Sequence, residues 1–182
     1  MIKAMKRKYL KNTKGMSTVE FVISFFVFIL LFSFIFDLFF IAYRQYAISN
    51  EANKLIRVIS MQNGALPTVP DNYPGGADNY LTTNEIYQRL DDKFKILGAT
   101  DYSVKIKAED ESLPSGERVI VLPNATGIKT DYRNYIKIEI DYEYKWGLWS
   151  QLINKDLKGN MSVSRTGFAE YKFDYDDWEG ER

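Results

Sequence analysis

From Phe21 to Ala42 every position is apolar except Ser24, Ser33 and Asp37, a run of 22 residues. As a helix rising about 1.5 Å per residue it is roughly 33 Å long, against a bilayer core of about 30 Å, so it is long enough to span. Past Tyr43, Arg44 and Gln45 the apolar positions thin out but keep helical spacing, at Ile48, Ala52, Leu55, Ile56 and Ile59, with Arg44, Asn53, Lys54 and Arg57 mostly elsewhere. The pattern predicts one continuous helix from about Thr18 to Gln62, its first half facing lipid and its second half packed on a domain.

Pro67, Pro70, Pro74, Gly75 and Gly76 then predict an exposed connector. Thr82 and Glu85 form a capping-box pattern, and Ile86, Leu90, Phe94 and Leu97 recur on one face up to Gly98, which predicts a helix over 83–97. Beyond it the period drops to two. Tyr102, Val104 and Ile106 predict one strand, Arg118–Leu122 a second, and Tyr135–Trp146 a third, with Ile136, Ile138, Ile140, Tyr142, Tyr144 and Trp146 on its buried side. After a connector containing Trp149 and Leu152, Asn160–Phe173 predicts a last strand, bent at Gly167. The expected fold class is α+β: a long N-terminal transmembrane helix continuing into a small soluble domain with one further helix and a mostly antiparallel sheet of about four strands. The expected organisation is a basic leader over 1–15, a membrane and assembly helix over 16–62, a linker over 63–81 and an extracytoplasmic domain over 82–182.

Charge sharpens the N-terminal reading. The 24 basic and 24 acidic residues balance, yet Lys3, Lys6, Arg7, Lys8, Lys11 and Lys14 all precede Gly15 and no acid does. Loss of residues 1–15 leaves 18 basic against 24 acidic residues, a net charge of −6. An acidic processed chain argues against nucleic acid as a partner. The basic flank favours a cytoplasmic N-terminus and an extracytoplasmic remainder. A secretory signal peptide has an apolar core of about 7 to 15 residues followed by a small-x-small cleavage site, and neither is present.

The absence of Cys and His excludes disulfides, thiolate nucleophiles, imidazole bases and the usual zinc sites, so no enzyme activity, cofactor or metal is expected. Glu109–Glu111 and Asp91–Asp92 read as solvated loop and helix charges. The acids from Asp174 to Glu181 lack the ligand order of a calcium loop. Asn124 with Thr126 and Asn160 with Ser162 match the short glycosylation pattern, which is common by chance. Asp37 reads either as a carboxylate snorkelling to the interface or as a contact between subunits.

Gly15, Met16, Ser17, Thr18, Val19, Glu20 and Phe21 set a glycine five residues before a lone glutamate at the apolar boundary. This arrangement resembles the processing motif of type IV prepilins. The resemblance implies cleavage between Gly15 and Met16 by a prepilin peptidase, and a role for Glu20 in assembly through pairing with the N-terminal amine of a neighbouring subunit. Asp37, Tyr43, Arg44, Gln45, Ala47, Asn50, Ala52 and Arg57, and the closing Met161, Val163, Arg165 and Ala169, are similar to the TadE-like minor pilins and pseudopilins of tight-adherence systems. Lys54 and Leu55 stand where that family more often has Ala, and Met16 where major pilins often have Phe. The implied partners are the peptidase, other pilin-like subunits and membrane lipid, with the chain held in the cell membrane or in a surface pilus. The alternative is an uncleaved single-pass anchor carrying an extracellular binding module.

Overall fold

The structure, a computed structural model, describes residues 13–71, 73–99, 101–110, 113–123 and 126–171, with side chains from Ser17 onward. It is α+β. Helix α1 (Thr13–Met61) is followed by strand β1 (Gly64–Ala65), helix α2 (Thr83–Leu97), strands β2 (Tyr102–Glu109), β3 (Glu117–Leu122), β4 (Ile128–Lys129) and β5 (Tyr135–Lys145), helix α3 (Leu148–Ile153) and strand β6 (Lys158–Phe168). The chain forms two compact units, one holding α1 up to Ile41 with Trp146–Leu157, the other holding Ala42–Lys145 with the chain from Lys158.

In the larger unit a four-stranded sheet has the order β3-β2-β5-β6, antiparallel throughout, as expected. Val104, Ile106, Ala108, Ile136, Ile138, Ile140 and Val163 point from it into one core, which Ile48, Ala52, Leu55, Ile56 and Ile59 of α1 enter from one helix and Ile86, Leu90, Phe94 and Leu97 of α2 from the other. All nine helical positions picked out by spacing are buried, and full burial of a Leu, Ile or Phe side chain is worth about 1.5–3 kcal/mol. Helix α2 opens with the complete capping box. The Glu85 N–H donates to Thr82 Oγ1 at 3.3 Å and the Thr82 N–H to Glu85 Oε2 at 2.8 Å. It closes on Gly98 in the left-handed conformation, φ 69°, which glycine adopts without a Cβ penalty.

Four expectations need correction. The 63–81 segment is exposed only in its middle, because its ends are pinned. Gln62, fully buried, exchanges hydrogen bonds with the Leu81 backbone at 2.9 and 3.0 Å, and β1 pairs with β4 to make a second, two-stranded ribbon. A third helix, α3, stands where a connector was expected. Strand β5 stops at Lys145, so Trp146 leaves the buried row and Tyr144 is only half-buried. Finally, β6 ends at Phe168 and is not bulged at Gly167, which pairs in register with Ile136. The glycine answers a close approach instead: a Cβ there would collide with Ser60 Oγ of α1.

Candidate functional site

The N-terminal part of α1 contains a stretch long and apolar enough to cross a membrane. Its large side chains are exposed, Phe21 and Phe39 most of all; Phe21–Phe25 and Phe28–Phe32 stack along the helix with ring centroids 6.1 and 5.4 Å apart, and Phe32–Phe36 meet edge-on at 4.9 Å. Such i,i+4 pairs stiffen a helix without needing a core. The Ser33 hydroxyl donates to the Ile29 carbonyl at 2.8 Å, which satisfies its polarity inside the helix.

The two acids of this region have different surroundings. Asp37 is 2% exposed. Its Oδ1 accepts from the Leu148 N–H at 3.0 Å and its Oδ2 from the Trp149 N–H at 2.6 Å, so one carboxylate satisfies the first two amides of α3. Both bonds lie at the N-terminal end of α3, where backbone N–H groups have no intrahelical acceptor. Phe34, one turn below Asp37, stacks on Trp146 at 5.5 Å and meets Trp149 edge-on at 5.6 Å. Asp37 therefore neither snorkels to water nor waits for a second subunit, since its partners lie in its own chain. Glu20, by contrast, is exposed and has no hydrogen-bond or ion-pair partner among the described residues.

Of the processing residues, Gly15 and Met16 lie within α1, and the Met16 side chain is outside the described residues. The Tyr43-Arg44-Gln45 cluster divides in role. Tyr43 is exposed, Arg44 Nη1 donates to the Lys145 carbonyl at 3.2 Å, and Gln45 Oε1 accepts from the Tyr142 hydroxyl at 2.7 Å. Burial pushes the Tyr142 phenol up to about 12, with Arg44 pulling the other way. Sequence reasoning missed the Trp146-Gly147-Leu148-Trp149 stretch as part of this region. Its one available signal was two tryptophans bracketing a glycine directly after a strand.

In the larger unit a hollow of about 520 Å³ is lined by Val58, Met61, Gln62, Tyr73, Pro74, Gly75, Asn79 and Tyr171, and a shallower one of about 460 Å³ includes Asp101, Asp141 and Glu143. Among the described residues no three acids are grouped to hold a metal ion. Asn160 is an exposed β6 residue, whereas Asn124 and the acids from Asp174 to Glu181 lie outside the described residues. Comparison with protein-family models, with curated proteins and with solved structures finds no match to this chain.

Proposed function

We propose that this chain is a non-catalytic assembly subunit, a TadE-like minor pilin or pseudopilin, anchored once in a membrane through α1 with its sheet unit extracytoplasmic, and cut between Gly15 and Met16 by a prepilin peptidase. The observation that carries this reading is the contrast between the two acids of the apolar helix. Asp37 is fully occupied within the chain, whereas Glu20, at the apolar boundary, has no partner among the described residues. A carboxylate moved into a helix bundle without a partner is costly. The α-amino group that cleavage creates at Met16 of a neighbouring subunit is a partner of the right charge. Gly15 weakens the helix at the scissile bond by about 1 kcal/mol relative to Ala.

The experiment is an intact-mass measurement on chain extracted from membranes of cells that contain a prepilin peptidase. The expected N-terminus is Met16, and a chain that begins at Met1 overturns the processing. The 520 Å³ hollow, with Met61, Tyr73 and Tyr171 on its walls, is the observation that favours the second reading, an uncleaved anchor displaying a binding module.

A further inference from the structure

We propose that Trp146–Ile153 is a lipid-contacting wedge that sits in the outer third of the hydrocarbon core of the bilayer that α1 crosses. The inference rests on the reading of α1 as a membrane span and adds a second point of contact with lipid. Level along the helix is the first support. Asp37 lies 16 residues beyond Phe21 and Phe34 lies 13, about 24 and 20 Å along α1, within a hydrocarbon core of about 30 Å that begins at Phe21. Trp146, Leu148 and Trp149 are held at that level by the Phe34 ring and the Asp37 carboxylate.

The second support is polar satisfaction. Backbone near hydrocarbon must find partners within the protein. Here the Trp146 N–H donates to the Leu157 carbonyl at 3.1 Å, the Leu148 and Trp149 N–H groups to Asp37, the Lys155 N–H to the Ser150 carbonyl at 3.1 Å and the Leu157 N–H to Ser150 Oγ at 2.9 Å. The third is what the segment leaves uncovered. Helix α3 buries none of its residues, and Leu148, Leu152 and Ile153 are 42%, 43% and 38% exposed, in the same unit as the bare Phe36, Phe39 and Phe40 of α1. Lipid covers both apolar surfaces at once, and a tryptophan presents it with a large apolar body.

The test uses the full chain carrying Trp178→Phe, so that Trp146 and Trp149 are the only tryptophans and are excited selectively over tyrosine, reconstituted into phosphatidylcholine vesicles containing lipids brominated either near the headgroup or near the chain ends. The expected result is emission quenched at least about twofold by one or both brominated lipids relative to unbrominated vesicles. Because the chain has no Cys, Leu152→Cys gives a single thiol on the exposed face, and a nitroxide attached there is expected to be reached by membrane-dissolved oxygen in preference to a water-soluble nickel chelate. A chain that floats with the vesicles but is quenched by neither lipid overturns the wedge alone. So does efficient Leu152→Cys disulfide bonding between copies with no quenching, which assigns the face to a second subunit. A chain that fails to float overturns the span and the wedge together.

Discussion

Gly167 of β6 lies directly against Ser60 of α1, so close that the strand has room for no Cβ at that position. The Ser60 hydroxyl is buried and has no hydrogen-bond partner among the described residues. One contact thus predicts two substitutions of opposite sign. Gly167→Ala overpacks the helix–sheet seam and is expected to cost about 1–3 kcal/mol, whereas Ser60→Ala removes an unpaired buried hydroxyl and is expected to be neutral or to stabilise by up to about 1 kcal/mol. Urea unfolding of the full chain in detergent, followed by circular dichroism, separates them; Gly167→Ala as stable as the parent chain would mean that the seam is looser than described.

Asp37→Ala leaves the first two amides of α3 without their acceptor, at an expected cost of about 1–3 kcal/mol per unsatisfied group, while Asp37→Asn keeps one acceptor and loses less. The loss is local. Hydrogen exchange at Leu148 and Trp149 is expected to rise in the Ala variant, with the amides of β2 and β5 unchanged. Unaltered exchange at those two positions counts against the clamp.

The Glu85 carboxyl is held below its usual value by the Thr82 backbone N–H and then by the Thr82 hydroxyl. A lowered folded-state value stabilises at pH above about 4.5, the usual value of the carboxyl, and the contribution is lost as pH falls through the lower folded value. Thr82→Ala is therefore expected to cost about 1 kcal/mol near neutrality and to flatten the acid limb of the stability profile below about pH 4.5. A profile with an unchanged acid limb would exclude the capping box as its source.

Tyr142 carries the opposite sign. Its phenol is raised from 10.0 to about 12, so the neutral form favours the folded state; this contribution is whole below pH 10 and disappears as pH rises towards 12. Tyr142→Phe also removes the hydrogen bond to Gln45, for an expected loss of about 0.5–1.5 kcal/mol near neutrality. Its alkaline unfolding is expected to begin at higher pH relative to its own neutral stability than in the parent chain.

Glu20→Ala is expected to leave cleavage largely intact and to reduce incorporation into filaments or envelope complexes. Pull-down from cells expressing both forms reads the ratio, and equal incorporation would sink the assembly role. Glu20→Asp shortens the side chain by one methylene and is expected to fall between the two.

The helices and main strands were legible because their apolar periods are local: five positions in the second half of α1, four in α2 and the alternating row of β5 each mark a buried face. What escaped has distant partners. Helix α3 has no side-chain cap of its own, and its acceptor is Asp37, 111 and 112 residues away, so no local signal marks its start. The β1–β4 ribbon has two residues per strand, too few for a period. At Gly167 the sequence reveals a glycine but not whether a bulge or a neighbouring helix requires it. Glu20 and the Gly15–Met16 bond were visible as spacing against an apolar boundary. Arg44 and Gln45 were visible only as part of a resemblance, since the Lys145 carbonyl and Tyr142 hydroxyl they meet are about a hundred residues further on.

The sheet's last strand has a consequence for the order of events in synthesis. Arg165 of β6 bonds to Ser49 of α1 across 116 residues, and Val163 shares a core with Ile48 and Ile59. A ribosome completes the apolar stripe of α1 long before it releases the strand that helps to cover it. During that interval the stripe is an exposed adhesive surface, and closing so long a loop is entropically slow. A chaperone that shields residues 48–59 until β6 emerges would therefore raise the yield of folded protein without touching any residue of the finished sheet.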